Sequence, residues 1–177
     1  AGVATPHRYW DWPHRARGAH DAPVDARSEA ALIDALHDVL LDATRLRLRA
    51  DVPVGAYLSG GLDSTVLTSL IARRTDTPLH TFSIGFEDAG LDETPAQDRV
   101  VAALGTRHSR ILCRRADVAA GFAEAVWHAE STLVRAAPVP MMRLSGLVRA
   151  SGYKVVLTGE GADEVFAGYH WYPPMGE

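Results

Sequence analysis

The stretch Val54-Gly55-Ala56-Tyr57-Leu58-Ser59-Gly60-Gly61-Leu62-Asp63-Ser64 runs from a short apolar segment into two adjacent glycines and then into a helix-forming sequence. Val54 to Leu58 has the length and composition of a buried strand. Gly60 and Gly61 let the backbone turn sharply and bring its N–H groups close to an anion. The helix expected from about Asp63 to Arg74 points its positive end at the same spot. Ser59 and Ser64 can each add a hydroxyl donor. Asp63 would repel a bare phosphate, so its place in such a cradle points to a divalent cation held between carboxylate and phosphate. An isolated Gly-Gly pair reads as a serine-capped turn. The whole string, placed between a strand and a helix, reads as a phosphate loop.

Working outward, the strand–loop–helix unit repeats. Leu79 to Gly85 is expected as a second strand, and Glu87, Asp88 and Asp92 lie in the loop after it. Thr94 then serves as an N-cap before Pro95, and the helix runs to Leu104, where Gly105 ends it. Ser109 to Leu112 is a third strand and Asp117 to Ala129 a third helix of the series. A further helix covers about Pro140 to Ala150, and Val155 to Leu157 is the fourth strand. Upstream, Ala31, Leu32, Ala35, Leu36, Val39, Leu40 and Ala43 recur at helical spacing over Ser28–Arg49, with Ser28 as N-cap. Arg45, Arg47 and Arg49 complement the dipole at the end of that helix. Strands alternating with helices of these lengths predict an α/β fold, a doubly wound parallel sheet with helices on both faces.

A second loop has the same character. Thr158-Gly159-Glu160-Gly161-Ala162-Asp163-Glu164 follows the fourth strand and opens a short helix. Loops at the carboxyl ends of neighbouring strands converge on one crevice in such sheets. If the first and fourth strands are neighbours, Asp63 and Asp163 can share one Mg²⁺ that also binds a pyrophosphate. Taken alone, the acidic residues of the second loop would do no more than favour a helix N-terminus.

Two other nucleotide motifs are excluded. A Walker A loop needs Gly-Lys followed by Ser or Thr, and Lys154 is the only lysine in the chain. The dinucleotide fingerprint needs a third glycine, and counting from Gly159 and Gly161 that place holds Glu164. His128-Ala129-Glu130 has a superficial likeness to a zinc deaminase motif, but no Pro-Cys-x-x-Cys follows it. Nor do His7, His14 and His20 have a ligand-like context.

The 177 residues suffice for one domain with a real core. A net charge of −4 argues against a general nucleic-acid or membrane-surface binder. No apolar run is long enough to span a membrane. The single Cys113 rules out an intramolecular disulfide and leads to the expectation of a cytoplasmic setting. It reads as a packed thiol rather than a nucleophile.

Taken together, these motifs resemble the glutamine-dependent asparagine synthetases of the ATP-pyrophosphatase, or PP-loop, family. Val52 to Ser64 resembles the family's PP-loop. Thr81-Phe82-Ser83-Ile84-Gly85-Phe86 and Leu104-Gly105-Thr106-Arg107-His108 resemble its next two landmarks. Val155 to Tyr169, reading VVLTGEGADEVFAGY, resembles the fourth almost letter for letter. The likeness runs in order from about Tyr9 to Tyr169.

The resemblance implies an adenine nucleotide alpha hydrolase-like fold and a defined reaction with ATP and Mg²⁺. A substrate carboxylate, aspartate or a relative, attacks the α-phosphorus; ammonia then displaces AMP to give an amide. It implies Ser59, Gly60, Gly61, Leu62, Asp63 and Ser64 at the pyrophosphate, and Leu58, Ile84 and Gly159 around the adenine. Asp63 and Asp163 map onto metal-binding aspartates. Glu160 maps onto a glutamate that helps deprotonate ammonia, a role suited to a partly buried carboxylate. Glu160 favours free ammonia as nucleophile over the internal ring closure of β-lactam synthetases. Glu130 and Arg135 lie in the acceptor-side segment; Arg135 can pair with a substrate carboxylate or serve a structural ion pair. Residues 1–27 are expected as an arm from a glutaminase domain that would supply the ammonia. Residues 28–177 are expected as the synthetase domain, cut short before the family's catalytic lysine, which Lys154 at a strand start cannot replace. For the full-length protein the resemblance leaves room for a homodimer. A cyclase or amide synthetase acting on a peptide or secondary metabolite is the alternative.

Overall fold

The computed structural model describes residues 3–9, 27–169 and 171. The chain divides into two compact units, Ala1–Leu36 and His37–Glu177. In the first unit, residues 3–9 carry no helix or strand, and helix α1 (Glu29–Arg47) begins. Ser28 acts as its cap: the Ala31 N–H donates to Ser28 Oγ at 3.3 Å. The expected apolar stripe does not form a buried face, since Leu32, Leu36 and Val39 are exposed and only Thr44 of the helix is buried. Most of the arm expected over residues 1–27 lies outside the described residues.

The second unit carries β1 (Val54–Tyr57), α2 (Leu62–Arg74), β2 (His80–Phe86), α3 (Thr94–Leu104) and β3 (Arg107–Cys113). After these come α4 (Arg115–Ala129), α5 (Pro138–Ala150), β4 (Val155–Leu157) and α6 (Ala162–Phe166). The four strands form one parallel sheet in the order β3-β2-β1-β4. Successive strand residues face opposite sides, and both sides are covered. Ala56 of β1 packs with Ile71 and Leu79, against which Leu67 of α2 and Leu157 of β4 also lie. Tyr57 and Val156, one residue away in each strand, turn to the other side, where Phe82 packs with Leu144 and Val148 of α5. The sheet is therefore doubly wound, with helices on both faces.

Among the elements from β1 onward, differences from the sequence reading fall at element ends. β3 starts at Arg107, two residues early, because backbone pairing with β2 runs unbroken from His80↔Arg107 to Phe86↔Cys113. α3 already includes Thr94, and Glu93 occupies the cap. The Thr94 hydroxyl instead donates to Asp92 Oδ1 at 2.8 Å, which also accepts the Phe86 N–H at 3.0 Å. One carboxylate thus ties the end of β2 to the start of α3. As expected, Gly105 ends α3 in the left-handed region, at φ 63.

Candidate active site

β1 is flanked by β2 on one side and β4 on the other, and Val54↔Val155 through Ala56↔Leu157 pair in parallel. The sheet grows through β2 and β3 in one direction and restarts with β4 in the other. The crevice between the carboxyl ends of β1 and β4 is therefore a topological switch point, where ligands bind in open α/β sheets. The neighbour relation on which the sharing of a cation depends is present.

A cavity of about 680 Å³ opens there. Leu58, Ser59, Asp63, Ser64, Ile84, Gly159, Glu160 and Asp163 all line it. The two loops touch: a Cβ on Gly159 would come within 3.0 Å of Asp63 Cβ and 3.1 Å of the Ser64 backbone nitrogen. Glycine at 159 is what lets the second loop lie directly against the first.

Gly60, Gly61 and Leu62 do not line the cavity. Gly60, at φ +93, backs onto the first turn of α3, where a Cβ would come within 2.8 Å of Ala96. The Gly61 carbonyl accepts the hydroxyls of Ser64 and Thr65 at 3.2 and 2.7 Å. Leu62 is exposed. Loop shape is held internally: Ser59 Oγ lies 2.9 Å from Ser64 Oγ, and the N–H groups of Ser59 and Gly61 donate to Ser64 Oγ and Ser59 Oγ, each at 3.2 Å.

Glu160 is exposed, not partly buried as expected, because its loop crosses the surface before Gly161 turns it, at φ 94, into α6. In α6, Glu164 accepts a hydrogen bond from the Tyr169 hydroxyl at 2.5 Å. That bond holds the Glu164 carboxyl below its usual range and pushes the Tyr169 hydroxyl up to about 12. The Gly168 N–H donates to the Asp163 carbonyl at 3.0 Å, and a Cβ on Gly168 would collide with the Asp163 carboxylate. Among the described residues no group of three or more His, Cys, Asp or Glu is arranged to hold a metal. Asp63 and Asp163 fit an ion that takes one or two carboxylates and draws its remaining oxygens from phosphate and water, as Mg²⁺ does.

Glu130 and Arg135 are exposed between α4 and α5 and do not line the cavity; their neighbours Ala136, Ala137 and Pro140 do. Lys154 precedes β4, at the end of the sheet away from the cavity. Cys113 is buried at the cavity wall, and burial pushes its thiol above the ordinary range, against a role as nucleophile. Sequence reasoning missed the wall residues Arg114, Met141 and Tyr169, and above all the buried Gln97. Apolar periodicity could have placed Met141 on the inner face of α5. For Gln97 no signal existed, since a glutamine in a helix reads as solvated.

Sheet order and the paired glycine loops define a PP-loop ATP-pyrophosphatase type of fold. NMN synthetase from Francisella tularensis superposes with a TM-score of 0.52 at 24% identity, covering 81% of this chain and 59% of that one. Residues 35–176 match the family model described as asparagine synthase, and the chain belongs to that family. It is 37% identical over 175 residues to the amidase chyE of Penicillium rubens, covering 91% of this chain and 25% of the relative. With a putative glutamine-hydrolysing asparagine synthetase of Mycobacterium tuberculosis it shares 38% identity over 151 residues, 85% of this chain and 23% of the relative. The chain thus spans about a quarter of the length of the curated relatives it matches.

Proposed function

We propose that this chain is the nucleotide-binding part of an ATP-dependent amide synthetase. The observation that carries the reading is the convergence of loops 59–64 and 158–164 on one cavity at the β1–β4 switch point, with Asp63 and Asp163 both on its wall. ATP is a substrate here, with its pyrophosphate at the first loop and its base near Leu58, Ile84 and Gly159. A carboxylate oxygen attacks the α-phosphorus, the bond to pyrophosphate breaks, and an acyl-adenylate forms. Ammonia then adds to the acyl carbon, AMP leaves, and the surplus proton passes to Glu160. Mg²⁺, when bound, neutralises charge on the departing pyrophosphate. Asp63 and Asp163 would hold it, and Ser59 and Ser64 keep the loop in shape.

Aspartate is the acceptor that membership of the asparagine synthase family favours, with asparagine as product and a glutaminase domain as ammonia source. A second reading, favoured by the likeness to the amidase chyE, is amide formation on a peptide or secondary-metabolite carboxylate. Glu130 and Arg135 are then the first residues to examine for acceptor contact. The test incubates the full-length protein with Mg-ATP, ammonia and aspartate. Asparagine, AMP and pyrophosphate together support the aspartate reading. Pyrophosphate release with another acid, but none with aspartate, supports the second. No release with any acid overturns both.

A further inference from the structure

At the cavity wall, a chain of polar side chains that includes the buried Gln97 and Ser83 ends on the backbone of Ile84. Gln97, in the first turns of α3, is 1% exposed. Its amide orientation follows from its partners. Arg110 can only donate, so the atom 2.9 Å from Arg110 Nε is Oε1. The Ile84 carbonyl can only accept, so the atom 2.9 Å from it is Nε2. Oε1 also accepts the Ser83 hydroxyl at 2.9 Å. Ser83 Oγ, having donated to Gln97, accepts from His108 Nε2 at 3.1 Å, and His108 Nδ1 lies 2.9 Å from Thr81 Oγ1. Arg110 is anchored in turn by Asp98, 2.5 Å from its Nη2. The Gln97 side chain has two bonds to the cavity-lining end of β2, one accepted from the Ser83 hydroxyl and one donated to the carbonyl of Ile84, and only the second reaches the backbone.

The backbone at the same position touches the other loop. A Cβ on Gly60 would come within 2.9 Å of the Gln97 nitrogen, so α3 abuts the phosphate loop through its main chain. The two contacts are separable, because a change of the Gln97 side chain leaves the α3 backbone against Gly60.

We infer that Gln97 is a positioning residue for the base end of the nucleotide, acting through the Ile84 carbonyl and not through the phosphate loop. The inference rests on the proposed placement of ATP, with its base beside Ile84. Gln97→Glu keeps the size of the side chain and its acceptors for Arg110 and Ser83. It replaces the donor facing Ile84 with a carboxylate oxygen, which repels that carbonyl.

The test measures binding of Mg-ATP and of Mg-pyrophosphate to the full chain by titration calorimetry, with a thermal melt of each variant. The expected result is a rise of about tenfold in the Kd for Mg-ATP on Gln97→Glu, the scale of one lost buried hydrogen bond. Binding of Mg-pyrophosphate should stay within about twofold. Arg110→Met, which spares the Ile84 bond, should lower the melting temperature and leave both constants nearly unchanged. Equal weakening of both ligands by Gln97→Glu, or weakening of neither, overturns the inference. If Gln97→Glu does not melt cooperatively, Gln97→Met, which also lacks the donor, must show the same selective loss. Failure of the unmodified chain to bind either ligand overturns the nucleotide reading, and this inference with it. Normal binding by the unmodified chain with no selectivity in the variants overturns the inference alone.

Discussion

Gly159 sets how closely the two loops approach. Its missing Cβ would sit 3.0 Å from Asp63 Cβ, with backbone atoms of residues 63 and 64, in the first turn of α2, just behind. Gly159→Ala should therefore push the second loop off the first. Overpacking of this kind costs about 1–3 kcal/mol, so Mg-ATP affinity should fall about tenfold or more. Affinity equal to the parent's would show that the loops yield freely. Asp63→Asn removes a charge without changing shape. If Asp63 holds the cation, pyrophosphate release should drop on the order of a hundredfold, the usual cost of losing one electrostatic stabiliser; near-normal release sinks that assignment. Asp63, Asp163 and Gly159 were legible in the sequence because short loops between apolar runs leave few places for their chemistry. Gln97 was not. Its role depends on Arg110 and Ile84, which a different strand pairing would have put elsewhere.

At the scale of elements, α2 shows which parts of the first loop act through packing and which through backbone. Ile71 is fully buried against Ala56 and Leu79, pinning the helix whose first turn carries Asp63. Ile71→Ala should cost about 3 kcal/mol and lower the melting temperature by roughly 9 °C for a chain of this size. Leu62 sits in the same helix but is 79% exposed. Leu62→Ala should change stability by less than about 0.5 kcal/mol, and paired melts of the two variants check both values. α2 was legible because a helix-forming sequence follows directly on the two glycines of the loop, and β4 because three consecutive apolar residues lie between a glycine turn and a glycine loop. α1 was read from its apolar periodicity, yet Leu32, Leu36 and Val39 are exposed, so period alone says what a helix can bury and not whether it does. The start of β3 was missed because its residues Arg107 and His108 join the sheet through backbone pairing, which no side-chain pattern records.

For the molecule as a whole, strand alternation predicted a parallel sheet, but the order of strands was only a condition in the reading. Adjacency of β1 and β4 is a fact of the fold, and it converts two separate loops into one site. The same sheet stores a pH dependence. His80 is 1% exposed, stacked on Phe82 and bonded through Nε2 to Ser109 Oγ at 2.9 Å. Burial, and then Arg107, lower its pKa below 6.5. Burial, and then Arg110, do the same to His108. In the unfolded chain both return to about 6.5, so below that pH the unfolded state binds more protons and gains at the expense of the fold. Stability supplied by keeping these rings neutral is complete above 6.5 and is lost as the pH falls toward their folded values. Asp88, Asp92 and Glu164 have carboxyls held below their ordinary 3.8 and 4.5 by hydrogen bonds, so their contribution is lost only in a separate, more acidic window. The urea midpoint should therefore decline between about pH 7.5 and about pH 5.5, before any of these carboxylates titrates. His80→Gln, which cannot take up a proton, should flatten that decline. A midpoint that holds steady over the interval in the parent chain, or a slope unchanged in the variant, would show that the buried rings are not what makes the fold acid-sensitive.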